Sequence, residues 1–204
     1  MALDLRAMLT GDANRLRFIT RYSTNMQLHR ENVAEHTFYV ALYGMFLANW
    51  ANEKYPFLML DELEVLKRCL VHDLDEALTG DFQRPFKYRS ADLRSKIEEI
   101  SREIMVELAE QIAGEPCRVS DCLVNRWINS KDDTEEGSVV AFADFLSVLS
   151  HMSLNQIILK DYAAMTDYAM LFRESRFDFL RPLILEAEDL LGEITGERLP
   201  CAQS

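Results

Sequence analysis

Apolar residues recur at three- and four-residue intervals through most of this chain, the spacing that puts one stripe on an α-helix. The clearest case is residues 89–113, where Leu93, Ile97, Ile100, Ile104, Met105 and Leu108 fall on one side and charges fill the rest. The same period predicts helices over about 13–20, 33–54, 61–78, 117–129, 136–160 and 174–195. Breaks between them fall at Pro56, at Gly80 with Pro85, at Gly114 with Pro116, and at Gly137. Asp61 with Glu64 has the form of an N-terminal capping box, and Ser90 stands before the first turn of 89–113. In 61–78, Val65, Leu66, Cys69 and Leu70 supply the stripe that buries the helix. The stretch Phe177 to Leu191 has enough apolar surplus for a subunit contact as well as for packing.

Composition supports an all-α bundle. The chain has 204 residues, 49% of them hydrophobic, with only seven glycines and five prolines, so it can fill one core and needs no second domain. A net charge of −12 opposes long-range attraction to a nucleic-acid backbone or an anionic membrane. A small phosphorylated ligand stays compatible with that charge, because local cations and a metal can reverse the field inside a cleft. Cys69, Cys117, Cys122 and Cys201 form no C-x-x-C pair and are too few for a disulfide scaffold, which suggests a reducing cytoplasm. The start MALDLRAMLTGD lacks the regions of a secretory leader. The longest apolar stretch, FYVALYGMFLANW, is shorter than the roughly 20 residues a membrane helix needs.

Four residues carry chemistry. His36, His72, Asp73 and Asp144 offer imidazole nitrogens and carboxylate oxygens, the donors that Mn, Co, Fe, Ni and Zn accept, and none is a thiolate. A structural zinc would usually be closed by cysteines, so this set fits a metal that takes part in a reaction. At about 100° per residue, a helix running through 61–78 would put His72, Glu76 and Asp73 on one face. Asp144 lies between Ala141, Phe142 and Phe145, where an unpaired charge would cost several kcal/mol, on the order of other uncompensated buried ions. His151 is on the same helical face as Asp144 but roughly 10 Å along the axis, too far to share its metal. Cys69 reads as inert packing, Glu35 as an outer or surface group, Asp75 as facing solvent or an arginine, and His29 as surface.

The order His36, His72-Asp73, Asp144 resembles that of the HD-domain metal-dependent phosphohydrolases. RFITRYSTN, ENVAEHTFYVAL, VHDLDEALTGDFQRPFKY and AFADFLS, with their spacing, are together similar to the YfbR-like 5′-deoxynucleotidases. The resemblance implies an HD helical bundle over 1–204, with a core at about 15–160 and C-terminal helices in 161–196 packed on it. It implies one divalent metal (Co, Mn, Mg, Zn, Fe or Ni) on His36, His72, Asp73 and Asp144, and hydrolysis of deoxynucleoside 5′-monophosphates to nucleoside and phosphate. Arg21 matches the arginine that orients the phosphate and Glu76 the acid/base carboxylate. Asp81, Phe82, Gln83 and Arg84 match the substrate-contacting loop, and Tyr22, His36, Asp73 and Asp144 complete the substrate contacts. Tyr22 stands where some relatives have Trp, and Phe82-Gln83-Arg84 where they have Leu-Pro-Thr. A homo-oligomer, a dimer or larger, is also implied. Two rivals are a deoxynucleoside triphosphate hydrolase of the dATP type, towards which the extra charge of Arg84 leans, and a nucleotide-binding protein without turnover.

Overall fold

The computed structural model describes residues 4–25, 27–87, 89–114, 116–155 and 172–195. Among them there is no strand, only an isolated bridge between Thr20 and Asn32. The helices are α1 Leu5–Thr10, α2 Val33–Lys54, α3 Glu62–Val71, α4 Glu76–Thr79, α5 Arg84–Lys87, α6 Ala91–Ala113, α7 Arg118–Ile128, α8 Glu135–Asn155 and α9 Arg181–Thr195. Two 3-10 helices, Asp12–Phe18 and Ser175–Leu180, complete the set.

The boundaries follow their caps. Asn32 accepts from the Glu35 N–H while the Glu35 carboxylate accepts from the Asn32 N–H, so α2 starts where the spacing of apolar residues says it should. Asp61 and Ser90 cap α3 and α6 with their side chains. Glu64 does not close the box at Asp61; its carboxylate pairs with Arg68 and Arg126 instead. Helix α1 was not expected, and 13–20 is a 3-10 turn rather than an α-helix. Residues 156–160 of the expected 136–160 helix lie outside the described residues, as do 161–171 and 196. The expected 174–195 helix divides at Arg181, with Pro182 in the first turn of α9, where its missing N–H costs nothing.

The core is built on α2, α3 and α8. Val40, Leu47 and Ala51 of α2 meet Val65 and Cys69 of α3 and Val139, Phe142, Phe145 and Met152 of α8. Gly44 lets α2 and α3 approach closely: a Cβ there would lie 2.6 Å from Cys69 Sγ. Phe177, Leu180, Ile184, Ala187 and Leu191 extend this core, so the C-terminal helix packs on α8. By length and hydropathy α8 passes a test for a membrane span that the sequence reading did not foresee, but most of it is buried among other helices. It reads as the core helix of a bundle. A second cluster, Leu16, Val33, Leu74, Ala77, Met105 and Leu108, joins the first 3-10 helix, α2, α4 and α6. Leu70, expected in the buried stripe, is exposed.

The largest departure is that 61–78 is not one helix. Leu74, Glu76, Ala77 and Leu78 donate to Val71, Asp73, Leu74 and Asp75 in turn, each bond spanning three residues rather than four. That winding turns about 120° per residue, so side chains three apart eclipse and Asp73 and Glu76 share a side. The chain between the two clusters is thus a tight turn that carries the His-Asp pair.

Candidate metal centre

His36 lies one turn inside α2, fully enclosed; His72 caps α3, Asp73 follows in the turn, and Asp144 sits midway along α8. His36 Nε2 is 3.0 Å from Asp144 Oδ1 and 3.6 Å from Asp73 Oδ2. His72 Nε2 is 3.0 Å from Asp73 Oδ2 and 4.0 Å from Asp144 Oδ1. The donor atoms of His36, His72 and Asp144 all lie within 4.8 Å of one another. With metal–ligand bonds of about 2.0–2.2 Å, neighbouring donors stand about 3 Å apart and opposite ones about 4 Å, so these spacings fit an ion.

The protonation pattern agrees. His72 Nδ1 lies 2.7 Å from the Cys69 carbonyl, which can only accept, so Nδ1 carries the hydrogen and Nε2 presents its lone pair. His36 Nδ1 lies 2.9 Å from Ser147 Oγ. Burial, then the nearby Arg21 charge, lowers His36 to about 4, which keeps its ring neutral. Neither Nε2 has a hydrogen-bond partner among the described residues, although both are buried. Burial alone would raise Asp144, but Lys131 and the two histidines outweigh it and hold the carboxyl well below its usual range. For Asp73 burial is likewise outweighed, chiefly by His72, and its carboxyl is also low. Two imidazole nitrogens and two carboxylates therefore converge on one point, a donor set that fits a divalent metal.

Beside them lies Arg21. Its segment is fastened by the Arg21 N–H to the Glu31 carbonyl, by Gln27, which donates to the Arg21 and Tyr22 carbonyls, and by the Tyr22 N–H, which donates to Asp81 Oδ2 at 3.1 Å. Tyr22 has φ 51, a left-handed conformation that a tyrosine keeps only when its surroundings impose it. The buried guanidinium has Nη1 3.8 Å from Asp73 and Nε 3.9 Å from Glu31, too far for hydrogen bonds, and both nitrogens are unpartnered among the described residues. A buried cation with two unpartnered nitrogens is thus held next to the His/Asp cluster. Tyr22 stacks on His151 at 5.8 Å, which places His151 beside the arginine and not on the metal.

Glu76 is buried, with Oε2 unpartnered, and burial followed by the charge of Asp73 pushes its pKa well above normal. Both causes favour the protonated form. Asp75 is not at solvent: it accepts from Trp127 Nε1 at 2.9 Å and is buried against α7. Cys69 is packing, its buried thiol raised to about 12. Glu35 is the α2 cap, and His29 is exposed with its N–H donating to Asn155. In the expected substrate loop, Asp81 and Gln83 both tie to the Arg21 segment, Gln83 through Thr24. Phe82 is partly exposed with its ring 5.6 Å from Phe86, and the Arg84 side chain lies outside the described residues.

Two neighbours escaped the sequence reading: Lys131, whose Nζ is 2.6 Å from Asp144 Oδ2, and the buried Glu31, whose Oε2 is 3.8 Å from His151 Nδ1. Glu31 was within reach, since it opens ENVAEHT; Lys131, in a polar loop, carried no signal. Burial raises the Glu31 carboxyl to about 7, against the pull of Arg21. An unfolded glutamate titrates near 4.5, so between that pH and about 7 the folded chain holds the extra proton. The stability this contributes is complete below the window and lost as pH rises through 7. Glu31→Gln, always neutral, should lose less stability than wild type between about pH 5 and pH 8, as seen by melting temperature at each pH. Parallel curves would show the Glu31 charge to be matched in the fold.

Solved structures share this helical bundle. An HD-domain phosphohydrolase from Listeria innocua superposes with a TM-score of 0.66 at 20% identity, covering 94% of this chain and 98% of its own. A predicted metal-dependent phosphohydrolase from Magnetospirillum magnetotacticum gives 0.69 at 20% identity, covering 94% of each chain. At that identity the likeness establishes the fold. Residues 9–155 match the model of the YfbR-like 5′-deoxynucleotidases, and the chain belongs to that family. Among curated relatives, 5′-deoxynucleotidases from Pectobacterium atrosepticum and Klebsiella pneumoniae are 30% and 29% identical over 136 and 133 residues. The matched region spans 65% of this chain and 65% of each relative.

Proposed function

We propose that this protein is a metal-dependent phosphohydrolase that removes the 5′-phosphate from deoxynucleoside 5′-monophosphates. The observation that carries the reading is the convergence of two unpartnered histidine Nε2 atoms and two carboxylates beside a buried guanidinium that keeps two nitrogens unpartnered. His36, His72, Asp73 and Asp144 would hold the ion. Once bound, such an ion supplies Lewis acidity, acidifying water and drawing charge from a phosphoryl oxygen. Arg21 binds the phosphate through its guanidinium, and the bonds that Asp81 and Gln27 make to its segment hold the backbone that carries it. Glu76, whose protonated form is favoured by its burial, would give its proton to the leaving 5′-oxygen. Asp81 and Gln83, both tied to the Tyr22 segment, and with them Phe82 and Arg84, would contact the nucleoside. With a charge of −12 the chain takes a small nucleotide rather than a nucleic-acid polymer. Free Cys69, Cys117 and Cys122 suit a cytoplasmic setting, and exposed Phe38, Met45 and Phe46 on α2 suit a homo-oligomer.

The test is a screen of deoxy- and ribonucleotides, mono- to triphosphate, with Co, Mn, Mg and Zn, reading the released phosphate. Orthophosphate from deoxynucleoside monophosphates is expected; tripolyphosphate from a triphosphate would overturn the monophosphatase reading.

Sugar selection rests on Tyr22. Its ring is set by the left-handed backbone and the His151 stack, so it cannot easily yield to a 2′-hydroxyl. A preference for deoxyribose worth about 1–3 kcal/mol is the usual scale for one group's fit. Tyr22→Ala should shrink the ratio of kcat/KM for a deoxynucleotide over its ribonucleotide. Equal ratios in both proteins would remove Tyr22 from sugar recognition.

A further inference from the structure

The loop between α7 and α8, residues 129–134, is fastened far more firmly than a surface connection requires. From one side Arg68 Nη1 donates to the Asn129 carbonyl at 2.9 Å, to Asp132 Oδ1 at 2.9 Å and to Thr134 Oγ1 at 3.1 Å. From the other side Arg176 Nη1 donates to the Asp132 carbonyl at 2.7 Å and the Lys131 carbonyl at 3.4 Å, while its guanidinium lies 4.6 Å over the buried ring of Phe177. Gly137 admits the loop: a Cβ there would lie 2.3 to 2.7 Å from Asp132 atoms, backbone included. What this frame presents is the Lys131 ammonium, 2.6 Å from Asp144 Oδ2.

Asp144 therefore divides its two oxygens. Oδ2 faces Lys131, and Oδ1 faces the Nε2 atoms of His36 and His72. We propose that Lys131 is a positioning residue that fixes the Asp144 carboxylate, leaving Oδ1 alone for the metal, and that Arg68, Arg176 and Gly137 hold the loop for this purpose. The inference rests on the metal reading above. A ligating carboxylate whose second oxygen is tied cannot swing or chelate through both oxygens, so the donor geometry is set before the ion arrives.

The experiment is calorimetric titration of metal-free protein with Mn²⁺ and Co²⁺, without substrate, for wild type, Lys131→Met, Lys131→Arg and Gly137→Ala, with melting temperature as the control for folding. Losing an outer partner of a metal ligand weakens binding by about 10- to 100-fold, which is expected for Lys131→Met. Lys131→Arg, which restores a cation, should recover to within a few-fold of wild type. Gly137→Ala keeps the lysine but displaces the loop, so it should also weaken binding, by less. Wild-type or tighter affinity in a folded Lys131→Met, or no recovery in Lys131→Arg, would overturn the role of Lys131 while leaving the metal site standing. A wild type that takes up neither ion would overturn the metal reading and this inference together.

Discussion

Replacing His72, Asp73 or Asp144 singly with alanine should strip the protein of metal and lower phosphate release to below about a thousandth of wild type, a loss at least as large as that of one preorganised electrostatic group. Each substitution deletes one of the four donors. Of the other acids in the turn, Asp75 is committed to Trp127, and burial favours the protonated form of Glu76. The fold should survive, because α3 and α8 are anchored by Val65, Cys69, Val139, Phe142 and Met152, none of which the substitutions touch. His36 is the less informative target, since removing a fully enclosed ring that meets Ser147 would also open a cavity. Metal content by mass spectrometry, with circular dichroism for the fold, checks the expectation. Stoichiometric metal and full activity in any of the three would contradict the ligand assignment.

Glu76→Ala should keep the metal yet slow turnover by roughly 100-fold or more, the usual cost of losing a positioned general acid. The side chain is buried and its protonated form favoured, so Glu76→Gln offers the sharper comparison: a neutral amide of nearly the same shape that cannot serve as the acid. Both variants should fold and bind metal, and both should be slow. If Gln restored the wild-type rate, Glu76 would be a neutral packing group and the proton would come from Asp81 or solvent. Loss of metal in Glu76→Ala would instead make it a ligand.

Much of this was legible in the residue order, for physical reasons that differ by element. Helix α2 was readable because its apolar residues keep a helical period from Val33 to the turn at Pro56, and the reciprocal cap of Asn32 and Glu35 fixes its start in the same place. The four donors were readable because His and Asp are costly among Phe142, Phe145 and Val71 unless something binds them. The break at His72 was not readable, since Leu70, Val71, Leu74, Ala77 and Leu78 keep a helical period straight through it with no glycine or proline to mark a stop. There the tie from His72 to the Cys69 carbonyl and the three-residue bonds decide the winding, and both depend on tertiary packing. The even helical face assumed for His72, Asp73 and Glu76 was therefore wrong in detail, although the tight turn still brings Asp73 and Glu76 to one side. Asp75 was misread as solvent-facing because its partner, Trp127, is 52 residues away. Lys131 was invisible for the same reason: a lysine in NSKDD looks like any solvated loop until Arg68 and Arg176 are seen holding it.

The most direct measurement is to strip the protein of metal, add back Mn²⁺ in known amounts, and follow orthophosphate released from a deoxynucleoside 5′-monophosphate at each step. Release should be absent from the stripped protein, rise in proportion to bound ion and level off at one ion per chain. Phosphate release that persists in the stripped protein, or none at any loading, would contradict the account.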